Sequence, residues 1–506
     1  MSFDYVSAIH NAEIYDLAIE TPVSSAQILS HRLSNKILLK REDLQPVFSF
    51  KVRGAYNKLK NLTRGQMSKG VIAASAGNHA QGVAISAKKL KIHATIVMPV
   101  TTPRIKVDAV QAYGAEVVLF GDDYNSAAAH ADQIAKKEKF VFVHPFNDRD
   151  VIVGQGTIGM EIHRQIAQPL DAIFIAVGGG GLCAGIAAYL SAMRPETKII
   201  AVESDDAACL AAAMEAGRPV RLPEVGIFAD GTAVAEIGNY TWDILKDLVH
   251  EVIAVTTDEI CAAIKDTFND TRAICEPSGA LGLAGLKKYI LEKGVLDETL
   301  LAVQCGANID FDRLRYISER TQTGEKREAI LAVTINEEPG SFKNFCQSLK
   351  SRNVTEFNYR YGSSKAAQIF VGVQVTGDVD RLELIQDLSL QNYCVEDMTD
   401  NEMAKLHIRH MVGGRAPKVS EEQVYRFDFP ERPGALINFL NILGDRWNIS
   451  LFHYRNHGSA FGRVLVGFQA LDNQREEVRV FLDSLQYRYV VETHNNCYRL
   501  FLGNLD

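Results

Sequence analysis

Short apolar runs alternate with longer stretches of helical spacing through the first part of the chain. Val71–Ala74 is followed by the helix-like His79–Leu90 and then by Ala94–Met98. Glu116–Phe120, Lys198–Val202, Val252–Val255 and Thr299–Gln304 are further runs of strand length, each with a helix-like neighbour. This alternation predicts an α/β fold whose parallel sheets are covered by helices, with ligand sites at the carboxyl ends of the strands. Ala172–Met193 carries no charged residue and is long enough to cross a bilayer, but four consecutive glycines, Gly178–Gly181, interrupt it. It reads instead as a buried strand Asp171–Val177, a glycine loop and an apolar helix Leu182–Met193.

Near Thr321 the pattern changes to the polar run Gly324-Glu325-Lys326-Arg327-Glu328, and a domain boundary is expected there. Beyond it the chain repeats itself. Glu338-Pro339-Gly340-Ser341-Phe342 answers Arg432-Pro433-Gly434-Ala435-Leu436, Asn353–Arg360 answers Asn448–Arg455, and Val371–Gln374 answers Val466–Gln469, at offsets of 94, 95 and 95 residues. Each copy is expected to run strand, Pro-Gly turn, helix, strand, strand, with the Pro-Gly pair opening the helix where proline forfeits no donor. The connector Met411–Pro417 separates the copies. A small βαββαβ module repeated at the end of a chain more often binds an effector or a sister module than performs chemistry.

At 506 residues, several domains are required. A net charge of -8 argues against nucleic-acid binding, which needs a basic stripe. The eight cysteines form no CxxC pair and read as reduced thiols, mostly in the core, in a cytoplasmic protein. The start of the chain, with Asp4, Glu13, Asp16 and Glu20, lacks the basic and apolar segments of a signal peptide, so the mature protein is expected to be the whole chain. No cluster of His, Cys and carboxylate has ligand spacing, so no metal is expected, and His407 and His410 read as surface residues.

Five places carry candidate chemistry. Lys51 lies between Phe50 and Val52 in Ser49–Ala55; a desolvated amine there would lose its proton more readily and attack an aldehyde, although a lysine beside apolar residues can equally extend to solvent. Ser75-Ala76-Gly77-Asn78-His79-Ala80-Gln81-Gly82 falls between strand and helix. Its free amides suit a carboxylate and Asn78 offers an amide to a phenolate oxygen, the alternative being an ordinary cap with Asn78 as N-cap and His79 solvated. Gly178–Gly181 offers only backbone donors, without P-loop Lys or Ser and without GxGxxG spacing, which suits one phosphate monoester better than a triphosphate. Cys305, at a strand's carboxyl end, could face a heterocycle nitrogen or be a core thiol. Glu276-Pro277-Ser278-Gly279-Ala280 is either a polar turn near a leaving group or a helix start with proline at its first position.

Taken in order, SFKVRGA, SAGNHAQG and VGGGGL resemble the pyridoxal-phosphate enzymes of the tryptophan synthase β-subunit fold, specifically the serine/threonine dehydratase family, over residues 1–320. The duplicated part resembles the paired ACT-like regulatory domains of biosynthetic members of that family. The resemblance implies two α/β subdomains with pyridoxal 5'-phosphate between them, a linker at 321–328, ACT-like domains at 329–401 and 424–496 separated by a linker at 402–423, and a tail at 497–506. It implies that Lys51 carries the cofactor as a Schiff base and, once displaced by substrate, takes the Cα proton. Asn78 would bond the ring hydroxyl, and Gly178, Gly179, Gly180 and Gly181 would cradle the phosphate. Ser75, Gly77, Asn78 and His79 would hold the substrate carboxylate.

Cys305 takes the position facing the pyridine nitrogen, where many relatives have serine. A thiol is a poor donor, so the nitrogen would stay neutral and elimination would be favoured over transamination. A long-lived quinonoid with threonine would count against that. The implied reaction removes water and then ammonia from threonine to give 2-oxobutanoate, the first step of isoleucine synthesis, in a homotetramer inhibited by isoleucine and activated by valine. Serine dehydratase, racemase and β-replacement activities belong to the same fold and stay open. A catalytically silent amino-acid sensor is the alternative from another class, against which the intact Lys51, Asn78 and Gly178–Gly181 argue.

Overall fold

The chain divides into two units, Met1–Thr321 and Gln322–Asp506. The computed structural model describes residues 3–502 except 103, 123, 312, 325, 337, 339, 351, 361–365, 407, 412–415, 417, 418, 420, 431–438, 442–446, 456–460, 471–473, 486, 488, 496, 497 and 499–501. Strands of the first unit are β1 (Val23–Ser25), β2 (Lys36–Arg41), β3 (Val71–Ala74), β4 (Ala94–Met98), β5 (Glu116–Leu119), β6 (Val141–Phe142), β7 (Ala172–Ala176), β8 (Lys198–Ser204), β9 (Glu251–Val255) and β10 (Thr299–Gln304). They form a six-stranded sheet in the order β1-β2-β10-β7-β8-β9 and a four-stranded sheet in the order β5-β4-β3-β6. Pairing is parallel throughout except for β1, which runs antiparallel to β2. Every residue of β4 and β7 is buried, as expected of central strands covered on both faces.

The helix Lys51–Lys60 packs on Asn78–Leu90 and on Arg149–Gln165. Glycine makes this approach possible. A Cβ on Gly82 would stand 3.1 Å from the main-chain carbonyl carbon of Lys51, and one on Gly154 would stand 2.5 Å from the carbonyl oxygen of Arg53. The helices therefore meet backbone to backbone, and the first turn that carries Lys51 has little room to shift.

Two residues beyond Lys51, the fully buried Arg53 forks onto Glu42 (Nε–Oε2 2.7 Å) and Glu161 (Nη1–Oε1 2.5 Å), while Lys40, also buried, donates to Glu161 at 2.6 Å. Two cations and two carboxylates thus tie β2, the Lys51 helix and the helix Arg149–Gln165 together. Tyr15 and the carbonyls of Ile19 and Thr21 join the network.

The second unit is one eight-stranded sheet in the order β14-β11-β13-β12-β16-β17-β15-β18. Its strands are β11 (Glu328–Asn336), β12 (Val354–Arg360), β13 (Ala366–Gln374), β14 (Cys394–Asp397), β15 (Glu422–Pro430), β16 (Asn448–Arg455), β17 (Phe461–Gln469) and β18 (Tyr489–Val491). In the first copy, helices Ser341–Ser348 and Asp378–Leu390 complete a βαββαβ module. The copies join edge to edge through antiparallel pairing of β12 with β16, with Phe357 opposite Tyr454, Asn358 opposite His453 and Tyr359 opposite Phe452. That register survives exchange of the copies, which puts Asn358 and His453 on the pseudo-twofold axis. Aromatic side chains from both copies, including Phe342, Phe357, Phe452, Phe468 and Phe481, fill one core.

Several boundaries differ from the sequence reading. The helix Arg313–Gly324 runs into the segment expected as a linker at 321–328, and Glu328 already opens β11. The second expected linker contains the helix Glu402–Leu406, a 3-10 turn Ile408–His410 and the start of β15. Gly340 is the N-cap of Ser341–Ser348, with φ of 89°, so the helix starts after the expected Pro-Gly pair; Pro339, Pro433 and Gly434 lie outside the described residues. Most of the connector Met411–Pro417 and His407 also lie outside them, whereas His410 is exposed. Cys183, Cys209, Cys261, Cys275, Cys305 and Cys346 are buried free thiols and Cys394 is exposed, while Cys497 is not described. Among the described residues no helix is long and apolar enough to cross a membrane.

Candidate active site

Lys51 is the first residue of its helix, and its Nζ donates to the carbonyl oxygen of Pro145 at 3.0 Å while lying 5.2 Å from the centre of the Phe50 ring. Burial lowers its pKa to about 8, against the opposing pull of Cys305 and Glu276. The amine is therefore nearer to its free base at neutral pH than an exposed lysine.

The surrounding imidazoles are neutral. His79 was expected either to help a carboxylate or to be solvated; in the structure it is buried, and its Nε2 donates to the carbonyl of Val143 at 2.8 Å. Burial and the charge of Lys51 lower its pKa to about 3. His144 Nδ1 accepts from the backbone N–H groups of Phe146 and Asn147, so its proton sits on Nε2, and burial with the Lys51 charge lowers it to about 4. Accepting those two N–H groups folds 144–147 into the turn that aims the Pro145 carbonyl at Lys51.

The N-cap of the helix Asn78–Leu90 is Gly77 and not Asn78. Ser75 Oγ accepts from Gly77 N at 3.2 Å, and the N–H groups of Ala76, Asn78 and His79 find no protein acceptor among the described residues. Asn78 is instead engaged through its side chain. Its Nδ2 donates to Glu276 Oε1 at 2.6 Å and its Oδ1 accepts from Asn308 Nδ2 at 2.7 Å, leaving one amide hydrogen uncommitted. Glu276 is the N-cap of the helix Pro277–Lys293 with proline at its first position, the helix start that the sequence allowed. Burial, with Asp230 nearby, raises its carboxyl to about 7 in spite of the Asn78 bond. Gly306 makes the space, since a Cβ there would stand 2.3 Å from Glu276 Oε1.

Gly178–Gly180 form the turn between β7 and the helix Gly181–Met193, with φ of 90° at Gly180. The carbonyls are turned into the protein: Thr241 Oγ1 donates to Gly179 O at 2.8 Å and Cys209 Sγ to Gly178 O at 3.3 Å. The amides of Gly178 to Leu182 have no protein acceptor among the described residues. A Cβ on Gly179 would fall 2.3 Å from the Phe146 ring and one on Gly181 3.0 Å from Phe146 Cα. A glycine turn packed too closely on its neighbours for any side chain, with free N–H groups at a helix N-terminus, fits a phosphate monoester.

Cys305 is buried, and burial together with Glu276 pushes its thiol well above the usual range. Its Sγ donates to the carbonyl of Ser278 at 3.3 Å. Towards a heterocycle it presents an uncharged sulfur.

The structure thus gathers Lys51, Asn78, Cys305 and Glu276 around one site, which the turn 144–147 links to the glycine cradle. Sequence reasoning missed Pro145, Phe146 and Asn308. His144-Pro145-Phe146-Asn147-Asp148 does follow a strand and precede a helix, the position shared by the other site loops, and that was the available signal. Among the described residues no group of His, Cys, Asp and Glu could hold a metal ion.

Residues 14–306 match the family described as pyridoxal-phosphate dependent enzyme, and residues 319–408 and 413–502 each match the C-terminal regulatory domain of threonine dehydratase. The chain is 51% identical to the biosynthetic L-threonine dehydratase IlvA of Burkholderia multivorans over 99% of its own length and 100% of that protein's. It is 51% identical to the Escherichia coli enzyme of the same name, over 99% and 97%. Among solved structures, the processed form of threonine deaminase isoform 2 from Solanum lycopersicum shares 46% identity with a TM-score of 0.62, over 62% of this chain and 92% of that one. Maize serine racemase shares 32% with a TM-score of 0.58, over 62% and 95%.

Proposed function

Since the chain belongs to the biosynthetic threonine dehydratases of the pyridoxal-phosphate dependent enzymes, we propose that Lys51 is the residue that carries the cofactor and moves the substrate proton in its deamination of L-threonine. What carries the reading is one placement: a partly deprotonated amine 3.0 Å from the Pro145 carbonyl, in a turn whose next residue walls the glycine cradle. Bound there, pyridoxal 5'-phosphate supplies an aldehyde that condenses with amines and a ring that accepts electron density from Cα.

The amides of Gly178 to Leu182 hold the phosphate, and the uncommitted hydrogen of Asn78 Nδ2 holds the ring hydroxyl. Ser75 and the free amides of Ala76, Asn78 and His79 hold the substrate carboxylate, with Gly77 leaving open space in front of them. Lys51, released by the substrate amine, takes the Cα proton at Nζ. Neutral His79 and His144 leave that amine without a cationic competitor. Cys305, whose hydrogen is directed to Ser278, leaves the ring nitrogen uncharged. The β-hydroxyl leaves as water with the proton that Lys51 Nζ took from Cα, and the return of Lys51 frees an enamine whose hydrolysis yields 2-oxobutanoate and ammonia.

The regulatory part divides into modules at 329–401 and 424–496 that take isoleucine as inhibitor and valine as activator, in a cytoplasmic homotetramer that begins isoleucine synthesis. The shared sheet and the duplicated sequence support two related effector sites. Borohydride reduction followed by peptide mapping is expected to find the cofactor on Lys51, and Lys51→Ala is expected to abolish both the absorbance band and keto-acid formation. Normal turnover by that variant would end the reading. Comparing threonine with serine fixes the substrate, calorimetry with isoleucine and valine, alone and together, tests the effectors, and sedimentation tests the tetramer.

A further inference from the structure

Glu276 is a buried ionisable group at the site that the reaction above does not use. Its Oε1 takes one of the two hydrogens on Asn78 Nδ2, at 2.6 Å. Asn308 Nδ2 donates to Asn78 Oδ1 at 2.7 Å and to the Val47 carbonyl at 2.8 Å, so the flip of the Asn78 amide is fixed from both ends. If, as proposed above, the second hydrogen holds the cofactor's ring oxygen, one nitrogen serves two acceptors. With ordinary bond lengths and the trigonal angle of an amide, those acceptors lie about 5 Å apart. With the Glu276 carboxyl buried, two anionic oxygens at that distance repel strongly.

The charges facing Glu276 do not relieve this. Lys106, on the helix Arg104–Ala112, pairs with Asp230 at 2.8 Å. Of the cations on the helix Lys51–Lys60 it is Lys51 that interacts with Glu276, and an anionic ring oxygen would compete for its charge. Cys305 and Cys275 are thiols raised by burial, and His79 and His144 are neutral.

We propose that Glu276 is a positioning residue that takes up a proton as the cofactor enters: it orients the Asn78 amide and turns from carboxylate to acid when the ring oxygen becomes the second acceptor on the same nitrogen. The proton comes from solvent and sits on a Glu276 carboxyl oxygen. The inference rests on the proposed role of Asn78. Because burial already raises this carboxyl to about 7, the uptake is absent well below that pH, where Glu276 is an acid before binding, and grows above it towards one proton per site.

Calorimetric titration of the cofactor-free protein with pyridoxal 5'-phosphate, in buffers of different ionisation enthalpy from about pH 6 to about pH 8, counts the protons taken up. Glu276→Gln keeps an acceptor for Asn78 but cannot titrate. The difference between unmodified protein and this variant is expected to be near zero at the acid end and to rise towards one proton at the alkaline end. Equal counts at every pH would overturn the proposal. Glu276→Ala, which leaves the amide held at its oxygen end alone, by Asn308, is expected to bind about tenfold more weakly, and unchanged affinity would overturn the positioning role. Should the variants fail to fold, difference infrared spectroscopy of the unmodified protein at about pH 8 is expected to show a protonated carboxyl band appearing on binding, and its absence would overturn the proposal. Failure of the unmodified protein to bind the cofactor would bring down the reading of the site and the proposal together, an outcome distinct from equal proton counts.

Discussion

Arg53→Met tests whether the ion network beneath Lys51 holds the first unit together. The five N–H groups of the guanidinium reach six acceptors, on Glu42, Glu161, Thr157 and the Ile19 carbonyl, with one hydrogen on Nη2 shared, and all the charged side chains involved are fully buried. Methionine keeps most of the stem's volume but leaves two buried carboxylates with Lys40 as their remaining cation within the network. Removing one partner of a buried pair typically costs about 3–5 kcal/mol, because the surviving charge stays desolvated. The two tryptophans, Trp242 and Trp447, fall one in each unit. In a Trp447→Phe background, urea unfolding followed by Trp242 fluorescence therefore reports the first unit. With a slope of about 3 kcal/mol per molar, the midpoint is expected to fall by about 1–1.7 M.

Acid should narrow the gap. Burial works to raise Glu161, but Arg53 and Lys40 outweigh it and hold the carboxyl below its ordinary value. Its pairing therefore stabilises the fold above the unfolded pKa, and that contribution fades as pH falls through the native one. A midpoint shift below about 0.3 M, or a gap that widens in acid, would refute the reasoning.

Gly179→Ala drives a methyl into the Phe146 ring and is expected to abolish cofactor absorbance while the cofactor-free protein still folds, as read by absorbance titration and circular dichroism. With Lys51 at about 8 and not the ordinary 10.5, capture of pyridoxal 5'-phosphate by the cofactor-free protein should speed up with pH and level off above about 8 in stopped-flow absorbance. Burial lowers His79 and His144 to about 3 and about 4 in the fold, so below about 6.5 the unfolded chain binds more protons and stability decreases as the pH is lowered. The thermal midpoint of the cofactor-free protein should drop from about pH 6.5 to about pH 4.5, and drop less in His144→Asn. Phe357→Ala, in the shared aromatic core of the second unit, is expected to cost about 3–5 kcal/mol, read by Trp447 fluorescence in a Trp242→Phe background.

Local chemistry was legible in the sequence, and contacts between distant segments were not. β3, β4 and β10 appear with the bounds their apolar runs suggested, because strands buried on both faces announce themselves by composition alone. Lys51, Asn78 and Gly178–Gly181 could be picked out because each is set by a short motif. The alternative of Asn78 as a plain N-cap does not hold, since the cap is Gly77 and a glycine cap followed by asparagine looks locally like an asparagine cap. The network of Lys40, Glu42, Arg53 and Glu161 was invisible, because up to 121 residues separate its members and nothing around a lone Glu161 marks it as buried. The hold of Asn308 on Asn78, across 230 residues, was hidden for the same reason.

The seam between β12 and β16 also bears on how the regulatory unit keeps to itself. A four-stranded module standing alone would expose its second strand along its full length, as an open template for any other extended chain. Joined through that strand, the two copies satisfy each other's backbone, and the sheet's outer borders pass to β14 and β18, of four and three residues. β14 ends in Glu396 and Asp397, charges that discourage further pairing. Duplication thus seals the long edges and leaves stubs, which makes the second copy a safeguard against aggregation as well as a second regulatory module.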